Sequence, residues 1–222
     1  MHTNGSSRGG GTLVLVVATL LAVGGTCLAC TSGLIAIPTA ETVPHGEYDI
    51  EPQIDGVMSG LRDDTWILNT QFGLTPRLAA GVDFQWADGD DGEVLLNFQY
   101  LLVPSTDVRP AVAVGIHSLG VGPEHGRFLV ATQELDALRV HAGVESIENE
   151  SQWFVGADYA VSERLVLMGD YTAGSENCSS VGFCWHQREG FDVQLGVLFP
   201  NSSSADTRFS LAFVLTGPIQ GR

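Results

Sequence analysis

The chain has 222 residues, a charged fraction of 16% and a formal net charge of −16, with ten arginines and no lysine. That length suits one domain behind a targeting segment, and the acidic balance excludes the basic face that nucleic-acid binding requires. A charged fraction below the roughly 25% of an average soluble protein suits a chain that presents much of its surface to lipid, although a tightly buried soluble all-β domain shows the same depletion.

Residues 1–29 read as a secretory signal. Arg8 supplies the positive start, residues 12–23 (TLVLVVATLLAV) form an apolar core, and Cys27-Leu28-Ala29 places small residues for cleavage after Ala29. The core falls short of the ~18–20 apolar residues of a membrane-spanning helix. Cleavage there leaves Cys30 first, which raises a lipid anchor as a second option; Cys27 suits a lipoprotein signal poorly. Residues 30–45 form a lead-in, either an edge strand or a plug in a barrel mouth, because Pro38 and Pro44 lack the donor that a sheet ladder needs. His45-Gly46 makes a turn, and Tyr48, Ile50 and Ile54 open an alternating strand.

The lead-in carries Gly33-Leu34-Ile35, then Ile37-Pro38-Thr39-Ala40-Glu41, then Pro44-His45-Gly46-Glu47-Tyr48. This stretch resembles the opening of the YjbH-like family of bacterial outer-membrane barrel proteins, whose members are often much longer. The resemblance implies a barrel fold and a link to the cell envelope and exopolysaccharide production. It carries over no catalytic residues.

From Thr65 to Trp86 two strands flank a tight turn at 74–77. Trp66, Leu68, Phe72 and Leu74 alternate with Asn69, Gln71 and Gly73, and Leu78, Ala80, Val82, Phe84 and Trp86 alternate with Ala79, Gly81, Asp83 and Gln85. Strands of ~9–11 residues with one apolar and one polar or tiny face are the signature of a transmembrane β-barrel. Residues 88–93 (DGDDGE) form an acidic loop whose spacing departs from an EF-hand, so a solvated loop is expected over a calcium site. Further strands centre on Val94–Tyr100, Val112–Ile116, Phe128–Thr132, Leu138–Glu145, Trp153–Tyr159, Leu165–Tyr171, Phe191–Phe199 and Phe209–Phe213. The glycines up to Gly126 follow no phosphate-binding spacing, and no cofactor is expected.

Residues 172–189 read as a loop, in which Cys178 and Cys184 form a disulfide candidate. A zinc site at Cys184 and His186 is the lesser alternative, and no metal is expected. These readings give eleven strand candidates. Antiparallel bacterial barrels have an even number, so either the Gly33–Ala40 segment supplies a twelfth or one candidate fails and ten remain. The expected fold is all-β, an antiparallel up-and-down transmembrane barrel of about twelve strands over residues 46–217. Turns 74–77 and 161–164 fall on the periplasmic side. The chain ends GPIQGR, without the terminal aromatic residue that many bacterial barrels carry.

The inward face then carries Asp83, Glu145, Asp158, Asp170 and Asp192 against Arg139 and Arg208, with His117 and His141. Paired, these charges close a narrow lumen; left in water, the excess acid lines a cation-favouring path. No G-x-S-x-G elbow accompanies the histidines, and no enzyme is expected. Aromatic residues near strand ends (Tyr48, Trp66, Trp86, Tyr100, Trp153, Tyr159, Tyr171) fit interfacial girdles. The sequence thus predicts an outer-membrane barrel with a structural or envelope role, possible partners being outer-membrane lipids, the barrel-assembly machinery and envelope polysaccharide. A narrow acidic channel and a soluble lipocalin-like lipid carrier are the alternatives.

Overall fold

The computed structural model describes residues 33–59, 65–87, 92–120, 125–147 and 150–219. The expected signal segment (1–29), with Cys27, as well as Cys30 and residues 88–91 of the acidic loop, lies outside these. Twelve strands run in chain order: β1 (Glu47–Val57), β2 (Thr65–Thr75), β3 (Leu78–Ala87), β4 (Glu93–Val103), β5 (Ala111–Leu119), β6 (Gly126–Leu135), β7 (Leu138–Ile147), β8 (Glu150–Ser162), β9 (Leu165–Thr172), β10 (Cys178–Arg188), β11 (Phe191–Pro200) and β12 (Arg208–Pro218). Each pairs antiparallel with its chain neighbour, and β12 pairs back onto β1 from Glu47↔Pro218 to Val57↔Arg208, closing the barrel. That seam skips Glu51 and Pro52, the place where proline brings no donor.

The twelfth strand is β10, where the sequence reading placed a loop. Val181, Phe183 and Trp185 face out, while Cys178, Ser180, Gly182 and Cys184 face in, so the stretch has the alternation of its neighbours. The loop reading failed because it took the two cysteines as partners. They lie six residues apart on one extended strand, roughly 20 Å at ~3.3 Å per residue, far beyond the ~4.4–6.8 Å between bridged Cα atoms. Cys178 is a free thiol, and Cys184 is disulfide-bonded to a partner outside the described residues.

The apolar sets face outward. Trp66, Phe84, Leu96, Phe98, Leu129, Val144, Trp153, Val155, Leu167, Trp185 and Phe213 are all exposed. A continuous apolar wall of this extent far exceeds the largest patch of a soluble monomer, which overturns the lipocalin-like alternative. Strands of ten or eleven residues, tilted, span the ~25 Å apolar band of an outer-membrane barrel. Trp66 sits opposite Trp86, and the Trp153 and Tyr171 rings lie 5.3 Å apart, both pairs at the rim that holds the longer connections. The opposite rim holds both ends of the barrel and the tight turns 76–77, 136–137, 163–164 and 189–190. Strand β6 reads differently from its neighbours: Phe128, Val130 and Thr132 point inward, opposite the small residues Gly115, Ala113 and Ala111.

The segment before β1 lies inside the barrel and adds no strand to the wall. Gly33 and Pro38 bridge each other across a bend, His45 bridges Gly73 at the periplasmic rim, and Gly46, at φ 81°, turns the chain into β1. Leu34, Ile37, Ala40 and Val43 are buried against inner-face residues such as Val130, Phe154 and Met168. Each large apolar side chain buried this way contributes ~1.5–3 kcal/mol.

Val155→Arg, a lipid-facing change near the middle of β8, should destabilise the barrel by about 2–4 kcal/mol, against about 0–1 kcal/mol for Leu74→Arg at the rim. Urea titration of the protein folded into lipid vesicles measures both; equal, negligible costs would contradict a lipid-facing wall.

Candidate functional site

Period-two alternation puts every second side chain of twelve strands into one interior, and that interior has two layers. The periplasmic layer is filled by the plug, residues 33–46, and by charged pairs. Arg139 on β7 donates from Nε and Nη2 to the Asp158 carboxylate on β8, at 2.8–3.1 Å, and from Nη1 to Glu41 of the plug. His141 Nε2 lies 2.9 Å from Asp158 Oδ2, and its Nδ1 lies 2.9 Å from Thr132 Oγ1. Thr132 Oγ1 in turn accepts the Ala40 N–H at 2.9 Å. Gln99 Nε2 donates to the carbonyls of Thr39 and Glu41, and Gln194 Nε2 to that of Leu34. At mid-barrel Asp170 Oδ2 accepts the N–H groups of Ile35 and Ala36 at 3.0 and 3.1 Å, while its Oδ1 accepts the Ser180 hydroxyl.

Above the plug, towards the rim with the longer connections, lies a cavity of about 510 Å³. Plug residues 33–38 form its floor, and its walls carry Glu51, Asp83 and Glu145 among amides such as Gln53, Asn69 and Asn97. Among the described residues no arginine lines it. Asp83 accepts the Thr70 N–H at 3.1 Å and the Asn97 amide; Glu51 accepts from Asn69 at 3.1 Å. Glu145 contacts His117 Nε2 and, at 3.4 Å, the Gln152 amide. The nine inward candidates therefore divide: Asp83, His117 and Glu145 line the cavity, Arg139, His141, Asp158 and Asp170 hold the plug layer, and Asp192 pairs with His186 at 2.8 Å near the periplasmic rim. Arg208 shares the inner-face parity of Ser210 and Ala212 at the outer end of β12.

Sequence spacing did not reveal a serine beside His117. Ser118, at φ 58° in a bulge of β5, turns its Oγ to 3.0 Å from His117 Nδ1, so that Ser118, His117 and Glu145 form a chain. A nucleophile there would need donors for a developing oxyanion, yet the Ser118 N–H is committed to Asn97 Oδ1 at 2.9 Å. The chain ties the β5 bulge to Glu145 of β7. Cys184, His186 and Asp192 converge within 4.8 Å, the metal-capable grouping found among the described residues. A disulfide-bonded sulfur supplies no thiolate ligand, so zinc does not fit there.

Arg139 is the pivot of the plug layer. Arg139→Ala leaves Asp158 and Glu41 without their cation and should destabilise the folded barrel by about 3–5 kcal/mol. Arg139→Lys, which keeps the charge but not the forked donors, should lose less. Urea midpoints of the two variants decide this: equal midpoints would show that the fork contributes nothing.

No protein-family model matches the chain, and no curated protein matches it in sequence. Solved structures do match in fold. The KdgM porin aligns with TM-score 0.61 at 11% identity, over 75% of this chain and 98% of that one. The KdgM porin in complex with disordered oligogalacturonate gives 0.59 at 12%, over 76% and 98%. The outer membrane protein Omp33 of Acinetobacter baumannii gives 0.54 at 8%, over 76% and 97%. At these identities the likeness is one of fold. A closed antiparallel twelve-stranded barrel of porin-like architecture with an apolar outer wall is an outer-membrane barrel.

Proposed function

We propose that this barrel is a passive channel for small cationic and uncharged polar solutes, entered through the acidic cavity. The observation that carries the reading is the cavity's lining: among the described residues, three carboxylates and many amides with one histidine, His117, and no arginine. Rings of acidic side chains favour cations, and amides offer donors and acceptors to hydroxylated solutes. The oligogalacturonate of the KdgM complex is an acidic sugar polymer; an acidic lumen disfavours such a solute here, so this reading takes the architecture and not the substrate. Outer-membrane lipids and the barrel-assembly machinery are the partners it entails.

A structural or envelope role is the second reading. The filled periplasmic layer favours it, and the YjbH-like resemblance of the lead-in, with its exopolysaccharide link, belongs to it.

Purified protein in planar bilayers under a KCl gradient should give openings whose reversal potential lies towards that of K⁺. Asp83→Asn with Glu145→Gln should lower the cation preference about threefold or more, since a unit charge at contact distance in water contributes on the order of 1 kcal/mol. Anion-selective openings, or a preference untouched by the double variant, would contradict the channel reading.

A further inference from the structure

We infer that residues 33–46 are a releasable closing element of the lumen, seated in glycine sockets of the wall and latched by the Glu41–Arg139 pair. The inference rests on the channel reading above and adds how that channel is shut.

Three observations carry it. First, the wall is complete without the segment. All twelve strand pairings form among β1–β12, and among the described residues the segment's backbone meets the wall's backbone at the rim, through the bridge His45↔Gly73 and the bonds of Gly46 to Gly73 and Ile219. Its departure unpairs no strand within the wall. Second, the wall keeps space for it. A Cβ built on Gly196 would meet Ile35 at 2.5 Å, and its three nearest atoms all belong to that side chain. A Cβ on Gly156 would meet both Leu34 and Ile37 at 2.6 Å, whereas one on Gly182 would meet the Leu195 carbonyl of β11 first, at 2.2 Å, and Ile35 at 2.7 Å. The first two are recesses shaped by absent side chains opposite one segment. Third, the hydrogen bonds that hold the segment come from wall side chains. Asp170, Thr132, Gln99 and Gln194 bond its backbone, and Arg139 bonds Glu41. Side chains of this kind are satisfied equally well by water once the lumen floods. The seated state is therefore specific, and its departure leaves a bore that is polar at Asp170, Thr132, Gln99 and Gln194 and apolar at Val130, Phe154 and Met168.

The test pairs amide hydrogen exchange with planar-bilayer recording on the wild-type protein, Glu41→Arg and Gly196→Val. Glu41→Arg sets two guanidinium groups against each other; Gly196→Val fills a recess from the wall side with a residue that suits a strand. Heat-modifiable mobility on a gel verifies that each barrel is folded. The expected result is protected Ile35, Ala36 and Ala40 amides with rare openings in the wild type, and lost protection with sustained current in both variants. Steady wild-type conductance with those amides protected would overturn closure by the segment. Retained protection in both variants would overturn the sockets and latch. Lost protection in folded barrels that stay silent would overturn the channel reading itself, and the closure with it.

Discussion

The structure depends on closure of the backbone ladder in a medium without water. Inside hydrocarbon every N–H and C=O left unpaired costs several kcal/mol, so a sheet in a membrane must have no edge. The β1–β12 seam removes the edge. An antiparallel meander can close that way only with an even number of strands, and this is why a misread loop in the sequence had to be a strand. The seam tolerates Pro52 because that residue, outward and on the rung the β1–β12 pairing skips, has no donor to leave unpaired.

Closure has a second consequence. Twelve inner faces point into one bore, and side chains of ordinary polar size from opposite walls do not fill it. The periplasmic layer is filled by returning chain, and the backbone of that chain brings its own donors and acceptors into the interior. Each must find a partner. Asp170, Thr132, Gln99 and Gln194 are the partners, which is why so many buried polar residues of the wall bond backbone atoms of one segment. The glycines at 156 and 196 follow from the same demand: Leu34, Ile35 and Ile37 take the space their side chains would have used.

Alternation alone made the barrel legible. Ten-residue apolar/polar periodicity, tight turns at 74–77 and 161–164, and aromatics near strand ends are local patterns, and sequence displays local patterns. What it hid were relations across the bore. Cys178 and Cys184 read as a loop clasp because spacing in sequence says nothing of extension; along a strand the same spacing separates them. In β6 alternation did not say which face points inward; Phe128 and Val130 pack inward opposite Gly115 and Ala113, because small partners across the ladder leave room there. Ser118 meets His117 only through a bulge, which no alternation pattern anticipates. The lead-in could equally have been strand or plug until its hydrogen bonds to β6, β7 and β9 were visible.

Charge is where the difference matters most. Counting inward carboxylates from the sequence gives a strongly acidic bore, and the natural residues to blame for cation preference were Asp158 and Asp170. The structure withdraws both. Asp158 is engaged by Arg139 and His141, and Asp170 is turned onto the plug backbone and Ser180. A carboxylate saturated by hydrogen bonds and a facing guanidinium presents little field to a passing ion, because the pair reads as a dipole beyond a few ångströms. Glu51 and Asp83 take amide contacts from Asn69 and Asn97, and Glu145 meets His117 as well as the Gln152 amide. All three border the open volume. On the proposed channel reading, selectivity belongs to the outer cavity and closure to the periplasmic layer, so the two properties are separable by substitution.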